Sequence, residues 1–243
     1  MKKIERLTLC AVMMMAGVTG LKAQDKVEGT VSADFVNQYI WRGLDMADIS
    51  VEPTLGVSYK GLSLTAWGNY SFNSKDTKEF DFTLAYTNSG FTVGITDYWF
   101  NQGSADPEYD GKYFMYEAHK TAHVFEAFVG YDFGPVAINW FTNFAGNDGV
   151  NKSGKRAYSS YFEITAPFRF ATCHWKATLG IVPYSTSFYT DNSGFSVINV
   201  GLRATKDIKI TDSFVLPVFA GVTANPNEEK AYLICGFTLQ PFQ

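Results

Sequence analysis

Between Val31 and Leu239 the chain repeats one unit about twelve times: roughly ten residues alternating apolar with small polar side chains, then a turn. Leu62 to Phe72 and Glu79 to Thr87 are the clearest instances. Such alternation puts every second side chain on one face of a strand. One face is Leu, Phe, Val, Tyr and Ala, and the other is Ser, Thr, Asn, Gly and carboxylates. In a soluble β-sandwich the apolar faces would have to meet, and the aromatic residues would be core. A closed barrel in a bilayer inverts this, with apolar residues outward to lipid and polar residues inward to water.

The pattern predicts strands over 30–42, 50–59, 62–72, 79–87, 91–100, 122–131, 136–145, 158–168, 173–182, 195–205, 213–223 and 230–239. Their connections alternate in length. Lys60-Gly61, Asn88 to Gly90, Asp132 to Pro135 and 169–172 are short, and 206–212 is slightly longer. The segments 43–49, 73–78, 101–121, 146–157, 183–194 and 224–229 are mostly longer and more polar. Outer-membrane barrels alternate short and long connections in this way, with an even number of strands. The expected fold is therefore all-β: a closed antiparallel transmembrane β-barrel of twelve strands with up-and-down topology. Pro53 and Pro217 fall inside expected strands, where a closed barrel offers no edge for a missing N–H, so bulges are expected there. The long 101–121 segment is expected to fold over or into the barrel mouth.

Residues 1–23 read as a cleavable signal peptide, with basic Lys2, Lys3 and Arg6, an apolar run from Leu7 to Val18, and a small residue, Ala23, at the exit. The apolar run is too short for a membrane-spanning anchor. Residues 24–243 are then the exported barrel. The whole chain has 20 basic and 24 acidic residues; without the signal, 16 and 23 remain, a net charge of −7. That sign, with no basic cluster, excludes nucleic acid as a partner.

Little in the sequence points to catalysis or metal binding. Cys173 and Cys235 lie three strands apart and are expected to be free thiols facing lipid or the rim. His119 and His123 are flanked by Glu117 and Glu126, but strand positions four apart lie about 13 Å from each other, too far to hold one ion. No Gly-x-Ser-x-Gly nucleophile elbow occurs. Catalytic residues, metal and cofactors are expected to be none.

Charged side chains on the lipid face cost up to a few kcal/mol near midplane, so they belong inside. Alternation points Asp34, Arg42, Glu52, Asp81, Glu126, Glu163, Lys176 and Arg203 into the lumen. Five acids against three bases would line a weakly cation-preferring water path, with Glu126 and Glu163 hydrated, or form a salt-bridge network that plugs the barrel. Trp67, Tyr98, Phe128, Phe141 and Phe219 also point inward, so a narrow path is favoured over a solid plug. Outward at the strand ends are Tyr39, Trp41, Tyr59, Tyr70, Phe72, Tyr86, Phe91, Trp99, Tyr131, Phe168 and Trp175, forming interfacial belts. Phe82, Leu84, Val93, Leu179 and Val200 should be exposed in the isolated chain.

Ser32-Ala-Asp-Phe35, Trp41-Arg-Gly43, Pro53, Gly56 and Trp67-Gly68 resemble the opening of the TorF-like porins. The segment from Glu126 to Gly134 is similar to their mid-chain strand and turn, and Asn225-Pro226, Glu229 to Tyr232 and Gly236-Phe237 to their last hairpin. The chain departs at its end, where Gln243 follows Phe242. The resemblance implies a small outer-membrane barrel of channel function with no catalytic residues. The resulting expectation is a porin-like channel in the outer membrane, monomeric or loosely oligomeric. Its partners would be membrane lipid and small hydrophilic solutes diffusing passively. A barrel enzyme acting on lipid and a plugged structural barrel are the alternatives.

Overall fold

The computed structural model describes residues 26–118, 120–190 and 194–240. The signal peptide, the position of Gln24, His119 and the terminal Gln243 lie outside them. Fourteen strands are formed: β1 Glu28–Val36, β2 Tyr39–Trp41, β3 Leu44–Ala47, β4 Ser50–Tyr59, β5 Leu62–Ser71, β6 Glu79–Asn88, β7 Phe91–Phe100, β8 His123–Asp132, β9 Ala137–Gly146, β10 Ser160–Phe170, β11 Cys173–Val182, β12 Ser196–Lys209, β13 Val215–Asn225 and β14 Lys230–Leu239. Twelve of them, β1 and β4 to β14, close into an antiparallel barrel with each strand beside its sequence neighbour. The other two, β2 and β3, pair only with each other.

The outward face is apolar and accessible along the wall. Phe82, Leu84, Val93, Leu179 and Val200 are all 36% exposed or more. Among the described residues no second sheet covers them, so the apolar face is not a sandwich core. The free thiols of Cys173 and Cys235 belong to the same outward register as Trp175 and Phe237. Tight turns gather at one end of the barrel. At Lys60-Gly61 and Ser89-Gly90 both turn residues have positive φ, the geometry that matches the twist of a two-residue hairpin. The longer loops gather at the other end.

The first expected strand, 30–42, is corrected by the structure. The wall strand stops at Val36, and Tyr39 to Ala47 form a short hairpin turning at Arg42 and Gly43, with φ of 51° and 82°. This hairpin folds back inside the barrel. Tyr39 and Trp41 are therefore not outward belt residues: both are buried in the internal aromatic cluster. A side chain at Gly43 would collide with the carbonyl of Ile198, so glycine is required for the hairpin tip to reach the far wall.

The two prolines are accommodated without bulges. At Pro53 the β4–β5 ladder passes from Val51↔Tyr70 to Thr54↔Trp67 without a change of register, leaving an unpaired stretch where the N–H is missing. Pro217 pairs with Asp207 on one side and lies beyond the last β13–β14 pair, Val218↔Phe237, on the other. The bulges occur instead where β8 meets β9 and where β11 meets β12.

The seam between first and last strands is short. Four register pairs join β1 to β14, from Ala33↔Leu239 to Val36↔Gly236. Asn37 extends the seam by acting as a further backbone unit. Its N–H donates to Cys235 O at 3.0 Å, its Nδ2 to Leu233 O at 2.9 Å, and its Oδ1 accepts from Cys235 N at 2.6 Å.

A cation on the exposed apolar belt should impair insertion. Leu84→Lys or Val200→Lys is expected to destabilise the barrel in a bilayer by about 2–4 kcal/mol, the range for Lys on the lipid face near midplane. Urea titration in lipid vesicles, compared with Leu84→Ala or Val200→Ala, measures it.

Candidate functional site

The lumen has two storeys. In the half toward the tight turns, many inward residues are small and polar, among them Thr30, Ser58, Ser63, Thr83 and Thr178, all half-buried. Facing threonines bridge adjacent strands: Thr83 with Thr96 at 3.0 Å and Thr87 with Thr92 at 3.1 Å. Toward the long loops the lumen is filled by the β2–β3 hairpin and by the segment carrying Phe188 and Tyr189.

Arg42 occupies the tip of that hairpin. Its Nη1 and Nη2 grip Glu126 of β8 end-on, at 2.6 Å to Oε2 and 2.9 Å to Oε1. Tyr98 donates to the same carboxylate at 2.9 Å, and Arg42 also donates to the hydroxyl of Tyr189. The guanidinium carbon lies 4.1 Å from the centroid of Phe141, 4.4 Å from Trp41 and 4.7 Å from Tyr161. Negative ring faces and a forked carboxylate satisfy a planar cation better than they would an ammonium. On the remaining side of the tip, Asn225 Nδ2 donates to Gly43 O at 3.1 Å.

The structure sorts the eight expected lumen residues into two groups. Arg42, Asp81, Glu126 and Glu163 are at most 3% exposed and belong to the packed storey. Asp34, Glu52, Lys176 and Arg203 are half-buried on the wall strands. Arg42 reaches the lumen from the hairpin and not from a wall strand. Glu126 is not hydrated, as a wall residue beside a water path would be: it is the counter-ion of Arg42. Glu163 accepts from Tyr161 at 3.1 Å within the packed storey, and so is not hydrated either.

Four residues of this site escaped the sequence reading: Glu79, Tyr161, Phe188 and Tyr189. Glu79 sits beside Asp81 and Tyr39. Tyr161 donates to Glu163, receives a hydrogen bond from Asn199 at 2.9 Å and lies under Arg42. A signal for Glu79 was present, since it has the same parity as Asp81 in a clean alternating strand. Tyr189 stands in a loop, where alternation is silent.

The long 101–121 segment does not enter the mouth; it straps the outer wall. Tyr113 packs on the outward rings of Phe80 and Trp99, and Tyr116 stacks on His123. His123 is held at Nδ1 by the Asp97 carboxylate at 2.7 Å and at Nε2 by Tyr113 O at 2.6 Å. The histidine is thus a clasp between strap and wall. Among the described residues no group of His, Cys, Asp or Glu has metal-site geometry.

The outlook for both clusters is measurable. Arg42→Leu leaves the Glu126 carboxylate buried without its cation and should cost about 3–5 kcal/mol of stability. Arg42→Leu combined with Glu126→Leu should recover much of that loss. The temperature at which the folded form is lost on SDS gels checks both. His123→Ala should free the strap, and limited proteolysis of intact vesicles should then cut within 101–121 faster than in the parent.

No family model and no curated protein sequence matches the chain. Among solved structures it is similar to the COG4313 outer membrane channel from Pseudomonas putida F1, with 12% identity and a TM-score of 0.37, over 91% of this chain and 96% of that one. The barrel of the present chain is established by its own continuous ladder.

Proposed function

We propose that the chain is an outer-membrane channel for passive diffusion of small hydrophilic solutes, narrowed at its loop end by the Arg42 hairpin. The observation that carries this reading is the polar inner wall of the barrel. That wall of Ser, Thr and four half-buried charges is enclosed by an outer face of exposed Leu, Val, Phe and Tyr. A polar interior within an apolar exterior is stable in one setting, a bilayer with water inside the ring. The tight turns then face the periplasm and the long loops the outside, so the polar half of the lumen opens inward.

The likeness to TorF-like porins supports the same reading. Its Trp41-Arg42-Gly43 element is the tip of the internal hairpin, a position with a structural job in narrowing the lumen. Acidic residues outnumber basic ones on the inner side: Asp34, Glu52, Glu79, Asp81, Glu126 and Glu163 against Arg42, Lys176 and Arg203. A weak preference for cations follows from that sign.

The packed upper storey favours one competing reading, a plugged barrel without transport. Planar-bilayer recording separates the two. The parent should show small, weakly cation-selective conductance. Replacing residues 38–48 by a short glycine linker should raise it several-fold, since the twelve-strand ladder does not include β2 or β3. Conductance in the linker variant alone would establish the plugged barrel. Silence in both would remove the channel.

A further inference from the structure

We infer that Arg203 and Lys176 form a binding site on the lower lumen wall for the carboxylate of a small solute. The channel reading enters only in how the solute arrives; the site stands on the wall geometry.

Arg203 on β12 and Lys176 on β11 are direct cross-strand partners, and both side chains belong to the inward register. Like charges placed directly opposite each other destabilise a sheet. Among the described residues no carboxylate forms an ion pair with either side chain. The charges of Asp34 and Glu52 act on Arg203, and that of Glu163 on Lys176. Asp34, however, accepts from Thr238 Oγ1 at 2.5 Å. Among the described residues, Arg203 Nε and Nη2 are buried and have no hydrogen-bond partner.

These two nitrogens are the informative pair. Nε–H and one N–H of Nη2 point the same way from one edge of the guanidinium, spaced to meet both oxygens of a carboxylate in parallel. The plane of that edge is fixed from beneath. The guanidinium carbon lies 3.6 Å from the centroid of the Phe219 ring. Phe219 is 5% exposed and faces Gly236 across the β13–β14 ladder, where an added Cβ would come within 2.5 Å of the ring. Gly221, the partner of Arg203 on β13, brings the two backbones together: a Cβ there would meet Arg203 Cα at 3.0 Å. Two glycines thus seat the ring and the root of the arginine, and the unpaired edge of the fork belongs to the cross-strand neighbour of Lys176. A bound carboxylate would be held by two parallel hydrogen bonds to Arg203, and its charge would offset the Lys176–Arg203 repulsion.

The test uses the full barrel in detergent micelles and trifluoroacetate as the probe. Its fluorine NMR line should broaden saturably on adding protein, and unlabelled acetate should reverse the broadening. Arg203→Gln should abolish saturable binding. Arg203→Lys, which keeps the charge but loses the fork, should weaken it at least fivefold. Lys176→Gln should weaken it about threefold, and Lys230→Gln, at the exposed start of β14, should leave it unchanged. The folded-to-unfolded shift on SDS gels verifies each variant. If Arg203→Gln does not fold, Arg203→Lys carries the test. Absence of saturable broadening in the parent, or equal binding by the parent and a folded Arg203 variant, overturns the site. A protein that conducts without binding loses the site and keeps the channel. One that binds without conducting does the reverse.

Discussion

Every other property of this molecule depends on ring closure. A sheet with an apolar outer face can sit in lipid only if no strand edge is left with unpaired N–H and C=O groups. Here the critical join is β1 against β14, with four register pairs, and the side-chain amide of Asn37 prolongs it by imitating a peptide unit on both its donor and acceptor sides. Asparagine is suited to this because its side chain carries the same two groups as the backbone. Once the ring is closed, parity alone decides which side chains meet lipid and which meet the interior. The prolines are tolerated because each falls at a gap or an end of a ladder.

Closure also creates an interior that has to be filled or wetted, and the chain does both at different heights. Toward the tight turns the wall is small and polar, which suits water. Toward the long loops, twelve strands enclose more space than their own side chains occupy, and the β2–β3 hairpin takes it up. Burying Arg42 there is acceptable because its charge is matched: the Glu126 carboxylate, the Tyr189 hydroxyl and several ring faces replace the water it gives up. The two inward arginines therefore differ. Arg42 is committed to the Glu126 carboxylate, while Arg203 Nε and Nη2 have no hydrogen-bond partner among the described residues.

Strand number, closure and the inward or outward sense of most side chains were legible because period-two alternation and turn chemistry are local signals. Leu84 and Val200 outward, and Asp81 and Arg203 inward, need nothing beyond their neighbours in sequence. The internal hairpin was not legible by the same means. Val36 to Arg42 continues with enough aromatic alternation to pass for wall, and whether Trp41 faces lipid or Tyr98 depends on which strand pairs with it. A hint lay in the length of the first expected strand, thirteen residues against about ten elsewhere, with Asn37-Gln38 in its middle. Glu126 was placed correctly on the inner side but assigned the wrong surroundings, since its partner comes from 84 residues earlier in the chain. Tyr189 and Phe188 lie in a loop, where no periodicity exists to be read.

The hairpin tip is made early in the chain, yet its seat is built late. Arg42 is gripped by a residue 84 positions away, and Gly43 is held by Asn225, 182 positions away, after passing beneath the backbone of Ile198. Contacts so distant in sequence form slowly, because much chain must be ordered before they reward it. During assembly, then, Arg42 has to wait in solvent while eleven more wall strands are laid down. The interior sets only when the ring around it is nearly complete. Order in time and order along the chain thus part company at one element: the first loop synthesised is among the last to find its place.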